Sequence, residues 1–344
     1  MACLTQSELF EEEKGLSRNT QCLHPLAPTD CGPRIIASHT VQKRIGLKAI
    51  EEKGHVLSVR RSLAGLFKAN GKPEPERKGV QTASTFPGFC DIHDAALFRP
   101  IETQKWVATK ETAFLLSFRA VAWETYAKLN AKKLGEWQKQ WGDRGREYTE
   151  QVVIQSYLLD YLAGVGLGIR DSLAWKKRYD DIYISENYKD YHCLCMEFKP
   201  LLPIVACGGM HVEQDFQGRL LQSLIHDVPS YEHMTLNIMA SEGSSIVVFG
   251  WVGDPTGPSY GFARSFLALP TDRQSHALIR LAFEHFENIY LRPSWWQNLE
   301  GNVREALRRR MASGTPSTGR AANCLIEDNL TYFAAEISTE GLAI

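Results

Sequence analysis

Gly88-Phe89-Cys90-Asp91-Ile92-His93-Asp94 is the stretch on which the reading of this chain turns. Cys90 and His93 are separated by two residues, where a loop gives way to a helical pattern over Asp91 to Phe98. At the first turn of a helix, a C-x2-H pair faces one point, and the helix dipole favours a thiolate there. Upstream, Cys22 and Cys31 are separated by eight residues within 21–38, a segment rich in Cys, Pro and Gly that argues against regular structure. Three thiolates and one imidazole form a tetrahedral zinc set. The expectation is that Cys22, Cys31, Cys90 and His93 hold one structural Zn2+, which supplies folding energy that a loop-rich region lacks. Two alternatives stay open: His24 in place of Cys22, or His39 entering the shell.

Outward from this region, Ser38 reads as the N-cap of a helix whose apolar face is Val41, Ile45, Leu47 and Ile50. Gly54 stops it, and His55 to Val59 alternates like a strand. Residues 70–89, rich in Pro, Gly and Lys, read as a loop. Residues 109–140 predict a long helix with Phe114, Leu115, Phe118, Val121, Ala122, Tyr126 and Leu129 as its stripe. A second helix is expected from Glu147 to Val165, with Val152, Val153, Tyr157, Leu158 and Tyr161 inward, and a third over 172–187. Gly164-Val165-Gly166-Leu167-Gly168 between them lacks the features of a phosphate loop and reads as a hinge or tight packing point.

The period then changes to two. Strands are expected at 191–198, 202–207, 234–239 and 245–252, with Ser241-Glu242-Gly243-Ser244 as a hairpin turn, and further strands near 260–269 and 331–337. Helices are expected at 272–289 and 294–311. The predicted class is α+β, with a helical middle segment and a C-terminal antiparallel sheet carrying helices.

The layout Cys22…Cys31…Ser38-His39-Thr40-Val41-Gln42…Cys90-Asp91-Ile92-His93-Asp94 resembles the treble-clef zinc fold of HNH-type endonucleases. The surrounding phrases, including Gly54-His55-Val56, are similar to an uncharacterised bacterial protein family. The HNH-like part covers about a quarter of the chain, and treble clefs serve many roles. The resemblance implies a treble-clef-like module in which His93 takes the last Cys position and Asp94 the Asn position. It implies His39 as general base on water, Asp94 as ligand to a catalytic Mg2+ or Mn2+, and His55 as a second ligand. The C-terminal HNH histidine has no clear equivalent here. The expected organisation is a flexible N-terminus (1–20), a zinc-binding HNH-like module (21–103), a helical segment (104–188), an α+β domain (189–313) and a tail (314–344).

The whole chain has 344 residues and a formal net charge of −1, so it is not a polycation. From Arg34 to Lys78, however, eleven basic residues face four acids, an excess of seven, enough to attract phosphate locally. The expected partner is DNA or RNA in a nuclease of bacterial defence. The alternative is a non-catalytic zinc-stabilised module that binds a protein or small ligand. With no signal-like N-terminus and no disulfide rhythm, a reducing cytoplasm is the expected compartment. No membrane partner is expected, the longest apolar candidate being the short stretch Ser244 to Gly253. Cys193 and Cys195, two apart, are expected on one buried face of a strand. The sequence contains no H-E-x-x-H motif.

Overall fold

A computed structural model describes residues 3–16, 21–59, 72, 74–103, 105–224, 231–312, 321 and 323–343. Arg60, Arg61 and Lys68 of the basic stretch, and most of the tail from 313 to 322, lie outside the described residues. The first element is a helix, α1 (Gln6–Leu16), where a loosely held segment was expected; Arg144 clips it by a 2.8 Å ion pair to Glu8.

Two strands, β1 (Ile35–His39) and β4 (Thr85–Cys90), pair antiparallel, with Ile35 opposite Cys90 and His39 opposite Thr85. Ser38 therefore lies in a strand and does not cap a helix. Only a short helical turn follows, over Lys43–Leu47 and Lys48–Ile50. The expected loop of 70–89 also holds a strand, β3 (Glu76–Gly79), which pairs with β2 (His55–Ser58). From Cys90 the chain passes directly into α2 (Asp91–Thr103), then α3 (Lys110–Trp141). The Thr109 side chain accepts from the Thr112 N–H, and the Thr112 side chain accepts from Thr109, a reciprocal cap that fixes where α3 begins.

The next helix, α4, runs unbroken from Tyr148 to Ser185, so the three glycines at 164, 166 and 168 make no hinge. Its apolar residues are not inward as expected. Of those assigned to the core, only Leu158 is buried; Val152, Val153 and Tyr157 are exposed. This helix is long and apolar enough to cross a membrane by length and composition, with a mean hydropathy of 1.5 over its best 18-residue window. That corrects the expectation that no apolar run reaches such a length.

The main sheet has eight strands in the order β10-β5-β8-β7-β6-β9-β2-β3. Its members are β5 (Tyr191–Lys199), β6 (Ile204–His211), β7 (His233–Ser241), β8 (Ser244–Val252), β9 (Ile289–Leu291) and β10 (Glu336–Ala343), together with β2 and β3, and every pairing is antiparallel. The β7–β8 hairpin turns at Glu242 and Gly243, both with positive φ, as its twist requires. The strand expected near 260–269 is instead a helix, α5 (Pro258–Leu267), followed by α6 (Thr271–His285), α7 (Pro293–Asn298) and α8 (Gly301–Ala312). β2 and β3 come from the N-terminal stretch yet extend the C-terminal sheet through β9.

Both faces of the sheet are covered. Leu194, Met196, Phe198, Val247, Phe249 and Trp251 point to a core shared with α5 and α6. Tyr191, Cys193, Cys195, Ile246 and Val248 alternate to the other face, where α3 lays Phe114, Phe118 and Ala122. Cys193 and Cys195 thus share one buried face, as their spacing predicts. Ser117 of α3 hydrogen-bonds Tyr191 at 2.8 Å and receives the Thr235 hydroxyl at 2.7 Å, joining helix to sheet. Gly250 lies beneath this knot: a Cβ there would fall 2.2 Å from Ser117 Oγ and 2.4 Å from the Tyr191 hydroxyl. Gly250→Ala is expected to lower stability by about 1–3 kcal/mol through overpacking, read as a lower urea midpoint at unchanged slope.

Candidate metal centre

The β1–β4 ribbon brings the N-terminus of α2 beneath the loop that contains Cys22 and Cys31. Two backbone bonds set that loop: the Leu23 N–H donates to Gly88 O at 2.8 Å, and the Asp91 N–H to Arg34 O at 3.2 Å. Gly32 passes so close to α2 that a Cβ would sit 1.8 Å from Asp91 Oδ1 and 3.2 Å from Ile92 Cγ1, so a side chain there would displace the Asp91 carboxylate.

Cys22, Cys31, Cys90 and His93 converge, each offering one ligand atom, with all four atoms within 4.8 Å of one another. Tetrahedral zinc, with Zn–S about 2.3 Å and Zn–N about 2.0 Å, separates a sulfur from a nitrogen by about 3.5 Å. His93 Nδ1 stands 3.5 Å from the Sγ of Cys22 and 3.5 Å from the Sγ of Cys31. One ring nitrogen carries either one proton or one lone pair, so it cannot hydrogen-bond both thiols equally. A shared cation satisfies both distances at once. The four residues can hold a metal ion, and the donor set fits zinc.

The backbone already serves these sulfurs. The Gly32 and His93 N–H groups donate to Cys90 Sγ at 3.3 and 3.4 Å, and the Cys90 N–H donates to Cys22 Sγ at 3.3 Å. Burial resists ionisation of Cys90, but the His93 and Gly32 N–H groups outweigh it and hold its thiol below the usual range. Desolvation raises Cys22 despite the N–H groups of Cys90 and His24. It also pushes Cys31 up to about 11, with the neighbouring sulfurs adding to the rise. Three thiols packed together resist becoming three thiolates, and a divalent cation reverses that balance.

His24 is not in the group. Its ring lies flat on His93, centroids 3.8 Å apart and planes within 7°. Burial, then the charges of His93 and Lys176, lower its pKa to about 4. Tyr183 packs edge-on against His24 and the Lys176 charge reaches His24 and Cys22, so α4 borders this side of the centre.

His39 does not enter the shell either. It ends β1, and its Nε2 is buried without a hydrogen-bond partner among the described residues. Asp94, in the first turn of α2, likewise has a buried, unpartnered Oδ1. Both feel the same two charges, Arg119 and Glu102. Burial lowers the pKa of His39, more than the Val80 backbone raises it, which favours the neutral ring. Burial raises that of Asp94 against the pull of Ser38 and Arg119. Arg119, 1% exposed, pairs with Glu102 at 2.6 Å and lies 3.9 Å above the Phe98 ring, while its Nε and Nη1 find no hydrogen-bond partner among the described residues. His55 stands elsewhere: its Nδ1 is 2.8 Å from Lys53 O and 3.2 Å from Arg77. No hydrogen bond among the described residues joins it to His39 or Asp94.

Arg119 and Glu102 were not singled out from the sequence. The signal was present, because Arg119 falls four residues after Leu115 and three before Ala122, within the apolar stripe of α3. A charge in such a stripe is either paired or functional.

Other polar groups have local explanations. Asp215 accepts from the Gln217 and Arg219 backbone and pairs with the Arg219 side chain at 2.6 Å. Arg310 bonds Glu284 and Asp328, and Arg308 bonds Glu74. Trp296 is core, whereas Trp295 covers the chain at Tyr332. No known protein family, curated protein or solved structure matches this chain.

The purified protein is expected to carry one zinc per chain by elemental analysis. Cys90→Ser should lose it, and His24→Ala should retain it at full stoichiometry. Loss of metal from His24→Ala would reassign the ligand set.

Proposed function

We propose that this chain is a zinc-stabilised protein that engages nucleic acid, in which His39, Asp94 and Arg119 handle the phosphate. One observation carries this reading. Two strands and a helix, closed by the metal ligands, bring His39 and Asp94 within the field of one ion pair, the buried Arg119 guanidinium and the partly exposed Glu102 carboxylate. The order of strand-borne His, metal-ligated helix start and helix-borne acid agrees with the HNH-like, treble-clef reading. A neutral imidazole with an unused nitrogen is suited to accept a proton from water, and the unpaired N–H groups of Arg119 are suited to an anionic oxygen. A catalytic Mg2+ or Mn2+ supplied with the nucleic acid would find an acceptor in Asp94. His55, placed apart, is left out of this assignment.

Lys43, Lys48, Lys53, Arg77 and Lys78 add local positive charge from the same stretch of chain, which supports phosphate contact. Part of that charge is engaged: Lys48 pairs with Glu51 at 2.6 Å, and Arg34 lies 3.9 Å from Asp91.

A second reading has its own observation. His39 Nε2 and Asp94 Oδ1 are both buried, and among the described residues the only cluster of three or more convergent ligands is the Cys3His group. On that reading the metal unit is a scaffold for binding a protein or a small ligand. Incubation of DNA and RNA with the zinc-loaded protein and Mg2+ or Mn2+ separates the two. Cleavage is expected, falling about 10²–10⁴-fold in His39→Ala with zinc content unchanged. Undiminished cleavage by His39→Ala would remove the base assignment. No cleavage and no binding at low salt would leave the scaffold reading.

A further inference from the structure

The outward face of α4 is unlike the surface of the rest of the protein. Val152, Val153, Tyr157, Leu159, Leu167 and Leu173 are all exposed, with Val153 at 68% and Tyr157 at 65%. They extend over about 32 Å of helix at 1.5 Å per residue. Only 11% of the apolar 18-residue window of α4 is buried. The inner side of the helix is already occupied by α3: a Cβ on Gly135 would meet Leu162, and one on Gly168 would meet Lys128. The six exposed side chains together present on the order of 600 Å², near the roughly 800 Å² per partner of a standard interface.

We propose that this face of α4 is where two copies of the chain pack antiparallel about a two-fold axis. The sequence of the face is self-complementary in that arrangement. With the crossing point at Val165, Leu167 of each copy comes level with Ala163 of the other, a large residue over a small one. Tyr157 comes level with Leu173, and Asp160 with Arg170, whose guanidinium also pairs with Asp171 of its own helix at 2.9 Å, so the two opposite charges approach twice across the axis. A parallel pair would set Asp160 against Asp160. Gly164 and Gly166 flank the crossing point, and a Cβ on either would meet nothing within 4 Å, so this surface is open to close approach.

A lipid bilayer fits the same face less well. α3 is packed along α4 and carries Lys128, Lys132, Lys133 and Lys139, so inserting the hairpin would take these ammonium groups into hydrocarbon. An isologous contact buries the apolar face and leaves α3 in water.

The test is light scattering coupled to size exclusion on the full, metal-loaded chain across micromolar concentrations. The expected result is twice the mass of one chain. Leu167→Asp is expected to weaken association about tenfold or more, with zinc content and circular dichroism unchanged. Asp160→Arg should also weaken it, and the double variant Asp160→Arg with Arg170→Asp should recover it. That recovery is expected only of an antiparallel self-pair. A wild-type monomer at tens of micromolar, a dimer indifferent to Leu167→Asp, or a double variant no better than the single one would overturn the proposal. So would a monomer that co-sediments with liposomes through this face.

Discussion

Everything near the N-terminus rests on three sulfurs and one imidazole nitrogen drawn to a common centre. The loop containing Cys22 and Cys31 has no helix or strand of its own, and residues 21–34 bury little apolar surface. What fixes it is the start of α2 and the backbone of β4, reached through Cys90, His93 and the N–H···S bonds around them. Without a cation those contacts are weak, since neutral thiols are poor acceptors. With one, each becomes a charge-assisted bond, and the loop, the ribbon and the helix are held as one unit.

The sequence made the ligand set legible because spacing and position at a helix start are local properties. The same holds for α3, whose cap and stripe lie within one segment, and for the Glu242-Gly243 turn, whose two positive φ angles suit a Gly-bearing pair. What was not legible depended on partners distant in sequence. Ser38 resembles an N-cap in isolation, but opposite Phe86 it is a strand residue. Pro87 and Gly88 suggest a loop, yet they lie on a ribbon whose partner is fifty residues earlier. Likewise β2 and β3 look like parts of a small module until β9 joins them to the main sheet.

α4 was misread in a different way. Glycine in a helix interior costs about 1 kcal/mol against alanine, so three within five residues read as a hinge or tight packing point. Packing against α3 outweighs that preference, and the helix runs through. Its apolar spacing was read correctly as a face, but periodicity says only that a face exists and not whether this chain covers it. The inward side proved to be the one bearing Leu158, Leu162 and Ser172, while the richer apolar side faces out.

The site beside the metal joins these levels, because a single helix serves both the sheet and the polar cluster. On α3, Ser117 is tied to Tyr191 and Thr235 of the sheet, and two residues later Arg119 pairs with Glu102 and its charge reaches His39 and Asp94. On the other flank, Thr40 and Ser84, which follow β1 and precede β4, bond to each other and to Asn288 and Tyr290 at β9. The strand that bears His39 is therefore fixed to the sheet at its end, and the helix that bears Arg119 is fixed to the sheet along its length. With both partners referenced to the same eight strands, the distance between imidazole and guanidinium is set by the sheet. A metal ion held by the four ligands would set the remaining coordinate, the position of Asp94 on α2. That division explains how a site built on loop-rich sequence can have defined geometry: each of its three side chains is positioned by a different rigid element, and the elements are locked to one another by buried hydrogen bonds and one cluster of ligands.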